Sequence, residues 1–363
     1  MKEPFDIAVI GAGVVGAAIA RELSRYALRV ALVEGASDIA AGTSKANTAI
    51  WHTGYDAAPG SLEASLMRRS YPLMEAYAAE VGIPVEKTGG LLVAWNAEQL
   101  SLLAGIRANA AANGVTDLKE IAPGEIYRME PHLGPGALGA LFIPGEGIIC
   151  PYTPPLAFGY DAVANGVTLF LDAPVSAVTE MEGVTALTCG GSEILTRWTV
   201  NAAGLRCDEI DALFGFDRLH VRPRKGELIV YDKAARRLVN HVILPVPTKT
   251  TKGVLISPTV FGNVLLGPTA DDQDDKEDRS TTRAGLDSLL TKGLQVMPGL
   301  LLQPVTATYA GLRAATEHKD YLIEIDPLRR YLLVGSIRST GLSASLGIAA
   351  YVSGLLGQGG LVL

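Results

Sequence analysis

The chain has 363 residues, a formal net charge of −7 and 48% hydrophobic residues. That length can bury a large core divided into two or three lobes, and no block of Lys or Arg offers the electrostatic footprint that nucleic acid or an anionic membrane demands. Gly and charged residues break each apolar run before the roughly 18 residues a membrane helix needs, and the N-terminus enters a strand without a leader, so a cytoplasmic protein acting on a small molecule is expected.

The first element is a strand, Asp6 to Ile10, running into Gly11-Ala12-Gly13-Val14-Val15-Gly16 and a helix. A second strand, Arg29 to Val33, ends at Glu34. Strand, glycines, helix and terminal acid together form a dinucleotide-binding fingerprint. Gly11 permits the tight turn, Gly13 admits a pyrophosphate to the backbone, Gly16 lets the helix approach the sheet, and Glu34 can accept hydrogen bonds from a ribose diol. The helix N-terminus supplies free N–H groups and the positive end of its dipole.

A small-residue stretch from Gly35 to Gly60 follows, too long for an idle connection. Helical spacing then predicts a helix over 61–81 despite Pro72, a strand over 85–95 and a helix over 99–113 closed by Gly114. Short strands are predicted at 138–143, 167–171, 175–179 and 193–204, the last ending in Asn201-Ala202-Ala203-Gly204. Between His220 and Gly267 four strand-like runs with turn signals indicate an antiparallel sheet. The acidic run 271–275 reads as a solvated flank of a helix over 281–297. A strand over 331–335 leads through Ile337 to Leu342 into a last helix reaching about Leu356. Cys150, Cys189 and Cys207 are few and far apart, which leaves neither a disulfide framework nor a metal site; all three read as small buried hydrophobes.

With these motifs the chain resembles the FAD-dependent oxidoreductases of the D-amino-acid-oxidase superfamily over essentially its whole length. The loop from Gly42-Thr43-Ser44, the turn Val200 to Gly204, the strand Tyr309-Ala310-Gly311-Leu312-Arg313 and the closing segment Gly335 to Ser345 carry the likeness. Ser44 to Gly54 and Gly267 to Asp272 are similar to the branch holding glycerol-3-phosphate dehydrogenases and L-2-hydroxyglutarate oxidases, whereas the length matches glycine, sarcosine and iminodiacetate oxidases.

The resemblance implies an α/β chain: a discontinuous Rossmann-like FAD domain over 1–84, 144–218 and 326–363, and an α+β substrate domain with a large antiparallel sheet over 85–143 and 219–325. FAD contacts are expected at Gly11, Gly13, Val14, Val15, Gly16, Glu34, Thr43, Ser44, Lys45, Asn47, Val175, Ala203, Gly204, Gly311, Arg338, Ser339, Thr340, Gly341 and Leu342. Arg338 either adds charge beside the flavin or serves an inter-loop ion pair.

For chemistry, Arg313 matches the family's anion-binding arginine, its planar fork suited to a carboxylate. Arg224, Lys225, Lys249 and Lys252 are weaker candidates for a second anionic group, with solvated turn cations as the plainer reading. Tyr55 and Tyr321 are hydroxyl donors or core fillers. His52 is a candidate general base, a flavin-edge group or a covalent attachment point; a structural histidine is the alternative. A hydroxy acid needs a base to take its O–H proton, while a neutral secondary amine does not. The expectation is an FAD-dependent oxidase of a small anionic amino or imino acid, a sarcosine- or iminodiacetate-like secondary amine, with O2 or another electron acceptor and a partner subunit left open. Two alternatives stand beside it: a 2-hydroxy-acid or glycerol-3-phosphate dehydrogenase, and a non-catalytic flavoprotein subunit.

Overall fold

The computed structural model describes residues 3–247 and 253–363, which form three sheets and eight α-helices among them. The first sheet has a parallel centre in which β1 (Phe5–Ile10) lies between β2 (Val30–Val33) and β12 (Ser192–Asn201). β9 (Thr168–Phe170) extends it parallel beyond β2, and β20 (Tyr331–Gly335) extends it parallel beyond β12. Within it β2 and β20 are short apolar runs buried along their whole length because both faces are covered. An antiparallel ribbon of β10 (Val175–Met181) and β11 (Val184–Cys189) joins β12, and β19 (Leu322–Asp326) pairs antiparallel with β20.

One face of this sheet carries α1 (Val14–Leu23), which packs against α5 (Thr153–Ala164) and α8 (Gly341–Gln358); α8 packs in turn on α2 (Leu62–Val81). The largest core cluster fills this layer, with Ile7, Val9, Ile19, Leu32, Met74, Phe158, Ile348 and Val352 buried. α2 opens with a Ser61 cap on the Ala64 N–H at 3.1 Å and ends at Gly82 in the left-handed conformation.

The second sheet runs in the order β17 (Asp271–Asp272), β13 (Arg224–Tyr231), β16 (Val264–Gly267), β15 (Leu255–Pro258), β14 (Val242–Pro245), β5 (Gly90–Ala94), β7 (Gly139–Ile143) and β6 (Lys119–Ile121). β18 (Val305–Arg313) pairs antiparallel with β13 along the edge opposite the one taken by β16 and β17. It is antiparallel except where β14 meets β5, a parallel junction that the turn pattern did not reveal. α3 (Ala97–Ala112), α4 (Pro123–Met129) and α7 (Arg283–Val296) pack on it.

Several sequence expectations are corrected. The single strand over 85–95 is two, β4 (Val85–Glu86) and β5, in different sheets, since β4 pairs with β8 (Gly147–Ile149) beside β3 (Ile50–Trp51). Helices α4, α5 and α6 (Cys207–Leu213) went unread. α4 and α6 are about two turns long, and Pro154 and Pro155 disguise the start of α5. The acidic run does not flank a helix; Asp272 and Asp274 pair with Arg224 and Arg222. No helix among the described residues is long and apolar enough to cross a membrane.

Candidate functional site

The fingerprint folds as a cradle. Gly11 adopts φ +98°, and a Cβ there would lie 2.6 Å from the Ala202 carbonyl oxygen, while one on Gly16 would lie 1.8 Å from the Gly11 oxygen. Neither position can hold a side chain. Gly13 caps α1 without a side-chain acceptor, so the first-turn N–H groups stay directed outward; the Val14 N–H meets Ser44 Oγ at 2.9 Å. Glu34 sits at the lip, its carboxylate held by the Ala12 N–H at 2.7 Å and the Ala36 N–H at 2.9 Å. The Ala173 N–H donates to the Glu34 carbonyl at 2.9 Å, which draws the segment leading to Val175 beside the ribose strand. Ala203 and Gly204 follow β12 on the other side, tied to β1 by the Ala202 N–H to the Ile10 carbonyl at 2.9 Å.

A second helix N-terminus faces the same place. α8 begins at Gly341 and Leu342 with no side-chain cap, because Thr340 is engaged elsewhere: its hydroxyl donates to Glu63 at 2.6 Å and accepts from the Tyr321 hydroxyl at 2.5 Å. A Cβ on Gly341 would approach Val15 to 3.6 Å, so the two uncapped termini converge. Two positive helix ends, a glycine cradle and a carboxylate at the ribose position fit a dinucleotide, with pyrophosphate at α1 and an electron-rich ring at α8. Arg338 next to Ser339 donates to the Lys319 carbonyl at 2.5 Å and lies 3.9 Å from Glu63, the inter-loop role.

The loop between these termini is fastened to β18. Thr43 donates to the Leu312 carbonyl and the Tyr309 hydroxyl to the Asn47 carbonyl, both at 2.7 Å. Gly311 is a close-approach position, since a Cβ there would stand 1.9 Å from the Ala46 oxygen. A cleft of about 500 Å³ opens beside this contact, lined by Lys45, Ala46, Tyr152, Arg279 and Tyr309 among others.

His52 lies at the far end of the loop, just past β3, and its backbone N–H donates to Ser343 Oγ in the first turn of α8 at 2.9 Å. Its ring stands between two carboxylates, Nδ1 2.8 Å from Glu146 and Nε2 2.9 Å from Asp56. Burial opposes a charge on the imidazole, but the negative Glu146 and Asp56 outweigh it and raise its pKa well above the usual histidine value. Neither carboxylate was singled out from the sequence. The signal was register: Trp51 pairs with Gly147, so the next residues along the ribbon, His52 and Glu146, come face to face.

Arg313 ends β18 opposite Arg224. Its guanidinium has no hydrogen-bond or ion-pair partner among the described residues, and burial followed by the like charge of Arg224 lowers its pKa. An unpartnered, desolvated guanidinium is an anion receptor. The weaker cations behave differently. Arg224 grips Asp272 at 2.5 Å and Lys225 holds Asp278 at 2.7 Å, so both are already neutralised; burial of Lys225 also corrects the solvated-turn reading. Lys249 and Lys252 lie outside the described residues. Tyr55 is buried against Leu92 and Leu103, its ring 5.2 Å from that of His52, and burial raises its pKa well above the usual phenol value. Tyr321 is a prop for Thr340. Cys150, Cys189 and Cys207 are free and buried, and no cluster of metal-ligating side chains occurs among the described residues.

Comparison with known proteins matches residues 6–355 to the model of the FAD dependent oxidoreductase family. A glycerol 3-phosphate dehydrogenase of Caloramator mitchellensis is 36% identical over 97% of this chain and 74% of its own length. The FAD-bound L-alpha-glycerophosphate oxidase of Mycoplasma pneumoniae superposes with a TM-score of 0.91 at 28% identity, covering 98% of this chain and 95% of the other. A glycine oxidase from Geobacillus kaustophilus reaches a TM-score of 0.90 at 24% identity over 98% and 95% of the two chains, a likeness of fold alone. These findings correct the expected secondary-amine oxidase. The sequence likeness runs to enzymes named for glycerol 3-phosphate, and chain length, which had favoured the amine reading, does not separate the two.

Proposed function

The chain belongs to the FAD-dependent oxidoreductase family and its cofactor is FAD; from that premise we propose that it oxidises the secondary alcohol of glycerol 3-phosphate to a ketone. His52, held between two carboxylates beside the α8 N-terminus, carries this reading. Removing hydride from an alcohol carbon leaves an O–H proton that must go to a base, and the chain sets one beside the cofactor cradle.

The bound flavin supplies the two-electron acceptor. The remaining work falls to the chain. Arg313 takes the phosphate, a dianion whose oxygens suit a planar fork, and thereby fixes the glycerol carbon chain. Neutral His52 accepts the hydroxyl proton at Nε2, the ring nitrogen away from buried Glu146. The uncapped N-terminus of α8 stabilises negative charge that accumulates next to it. In this reading the FAD domain is 1–84, 144–218 and 326–363, the substrate domain is 85–143 and 219–325, and the alcohol is oxidised between them.

The test is anaerobic mixing of the FAD-loaded protein with glycerol 3-phosphate and, separately, L-2-hydroxyglutarate, while the flavin absorbance is followed. Bleaching by glycerol 3-phosphate supports the reading; bleaching by the hydroxy acid alone transfers the chain to that substrate class and overturns it. Admitting air then identifies the acceptor: fast recovery of colour marks oxygen, and slow recovery marks another oxidant.

A further inference from the structure

We propose that Glu146 is the positioning residue for His52, fixing the imidazole with its proton on Nδ1 so that Nε2 is presented to the substrate hydroxyl. This inference rests on the assignment of His52 as the base.

Glu146 sits in the turn between β7 and β8 and is completely buried. One carboxylate oxygen accepts from His52 Nδ1 at 2.8 Å and from both the backbone N–H and the hydroxyl of Thr53 at 2.7 Å. The other oxygen is buried with no hydrogen-bond partner among the described residues. A buried charge with a bare oxygen is costly, and the chain bears the same cost at Glu130, so what singles out Glu146 is the setting of the histidine that it holds. The charge has a use if the ring beside it becomes an imidazolium during turnover.

The geometry separates the two ring nitrogens by environment. Glu146 is sealed in the interior, and the β3–β8 register and Thr53 hold it against Nδ1. Asp56, on Nε2, has 53% of its side chain exposed. The permanent partner therefore fixes the tautomer, and the solvent-side partner occupies the position that a substrate hydroxyl would take. In the step itself the substrate O–H bond breaks and its proton forms a bond to Nε2; the Nδ1 proton stays in place, and Glu146 faces the resulting positive ring. Among the described residues, the groups around this ring are Glu146, Asp56 and the Tyr55 ring.

The experiment compares wild type, Glu146→Gln, Glu146→Asp, His52→Gln and the double variant Glu146→Gln/His52→Gln, all loaded with FAD. The expected result for Glu146→Gln is a kcat reduced about 100-fold with KM for glycerol 3-phosphate within about threefold, as befits a group acting through a catalytic side chain. The acid limb of kcat/KM should move to lower pH, because removing the negative charge makes the ring easier to deprotonate. Carbon-13 NMR titration of labelled histidine should move the same way without any substrate. Glu146→Asp should recover part of kcat, and Glu146→Gln should cost nothing further once His52 is gone. An unmoved pH limb and NMR titration, or an equal loss in the His52→Gln background, overturns the proposal. Should Glu146→Gln fail to fold, the shorter carboxylate of Glu146→Asp decides: wild-type kcat and wild-type titration in that variant are equally fatal. Failure of wild type to reduce its flavin with glycerol 3-phosphate would sink the substrate assignment, while the histidine titration would still judge the hold of Glu146 on His52.

Discussion

Among the described residues two buried glutamates each grip a histidine, and they belong to different regions. Glu130 at the end of α4 accepts from His241 Nδ1 at 2.7 Å and from the backbone N–H groups of Asn240 and His241 at 2.9 and 2.6 Å. Glu146 holds His52 in nearly the same way, and each glutamate leaves one oxygen bare among the described residues. The surroundings differ. His241 stacks edge-on to Phe142 against the core of the second sheet, whereas His52 is tied to the first turn of α8 and turns its second nitrogen to a half-exposed carboxylate. In the proposed function the same pair serves as a joint in one region and as a presented base in the other. What separates them is the surroundings of each ring, since the pairing residues are alike.

The strongest way to break that comparison is to replace each histidine. His52→Gln is expected to lower kcat about 1,000-fold, the usual scale for a lost general base, with FAD retained. His241→Gln should leave kcat near wild type and instead lower stability by about 2 kcal/mol, because Glu130 loses one of its donors in a buried place. Stopped-flow flavin reduction and thermal melts read the two effects side by side; a kcat loss in His241→Gln as large as that in His52→Gln would abolish the distinction.

Arg313→Ala extends the contrast from joints to open groups. Because this guanidinium has no partner among the described residues, its removal should raise KM for glycerol 3-phosphate about 100-fold, the value of a charge-assisted bidentate contact, while stability holds or improves. Steady-state kinetics together with a melt will check it. A large fall in stability with unchanged KM would make Arg313 a scaffold residue.

The pH response sharpens the comparison further. The pKa of His52 in the folded chain is raised above its unfolded value, so its stabilising contribution is complete below about pH 6.5, the unfolded value, and disappears as pH rises through the folded pKa. Activity should move oppositely, since only the neutral ring accepts a proton. The melting-temperature gap between wild type and His52→Gln is therefore expected to narrow over the same interval in which kcat/KM climbs. A gap that widens with pH would refute the assigned sign.

Much of the cofactor cradle was legible because it is local: Gly11, Gly13, Gly16 and Glu34 do their work within one β–α–β unit, where spacing encodes geometry. The strand over 331–335 and the four strands between 220 and 267 were readable for the same reason. The partners of His52 were not. Glu146 is 94 residues away and reaches it only through the pairing of two- and three-residue strands, too short to show a period. The split of 85–95 into two strands was hidden likewise, since Gly89-Gly90 marks a turn between sheets as readily as a bulge within one. The preference for an amine rested on length, which glycine oxidase and glycerophosphate oxidase share with this chain to similar extents.

The smallest expected effect belongs to Arg224, the neighbour of Arg313 across the β13–β18 ladder. The two arginines occupy paired positions, but Arg313 is the more deeply buried and Asp272 neutralises Arg224 alone, through contacts at 2.5 and 3.0 Å. That pair is about one-third exposed on both sides, where an ion pair contributes roughly 0–1 kcal/mol. Arg224→Ala should accordingly shift the melting temperature by little and KM by less than about threefold, the small change reflecting relief of a like charge near Arg313 set against the freed Asp272. A KM rise matching that of Arg313→Ala would mean that the phosphate draws Arg224 away from Asp272 on binding. The open group and the closed one would then be two halves of a single receptor, and pairing in the unliganded chain would no longer tell a joint from a site.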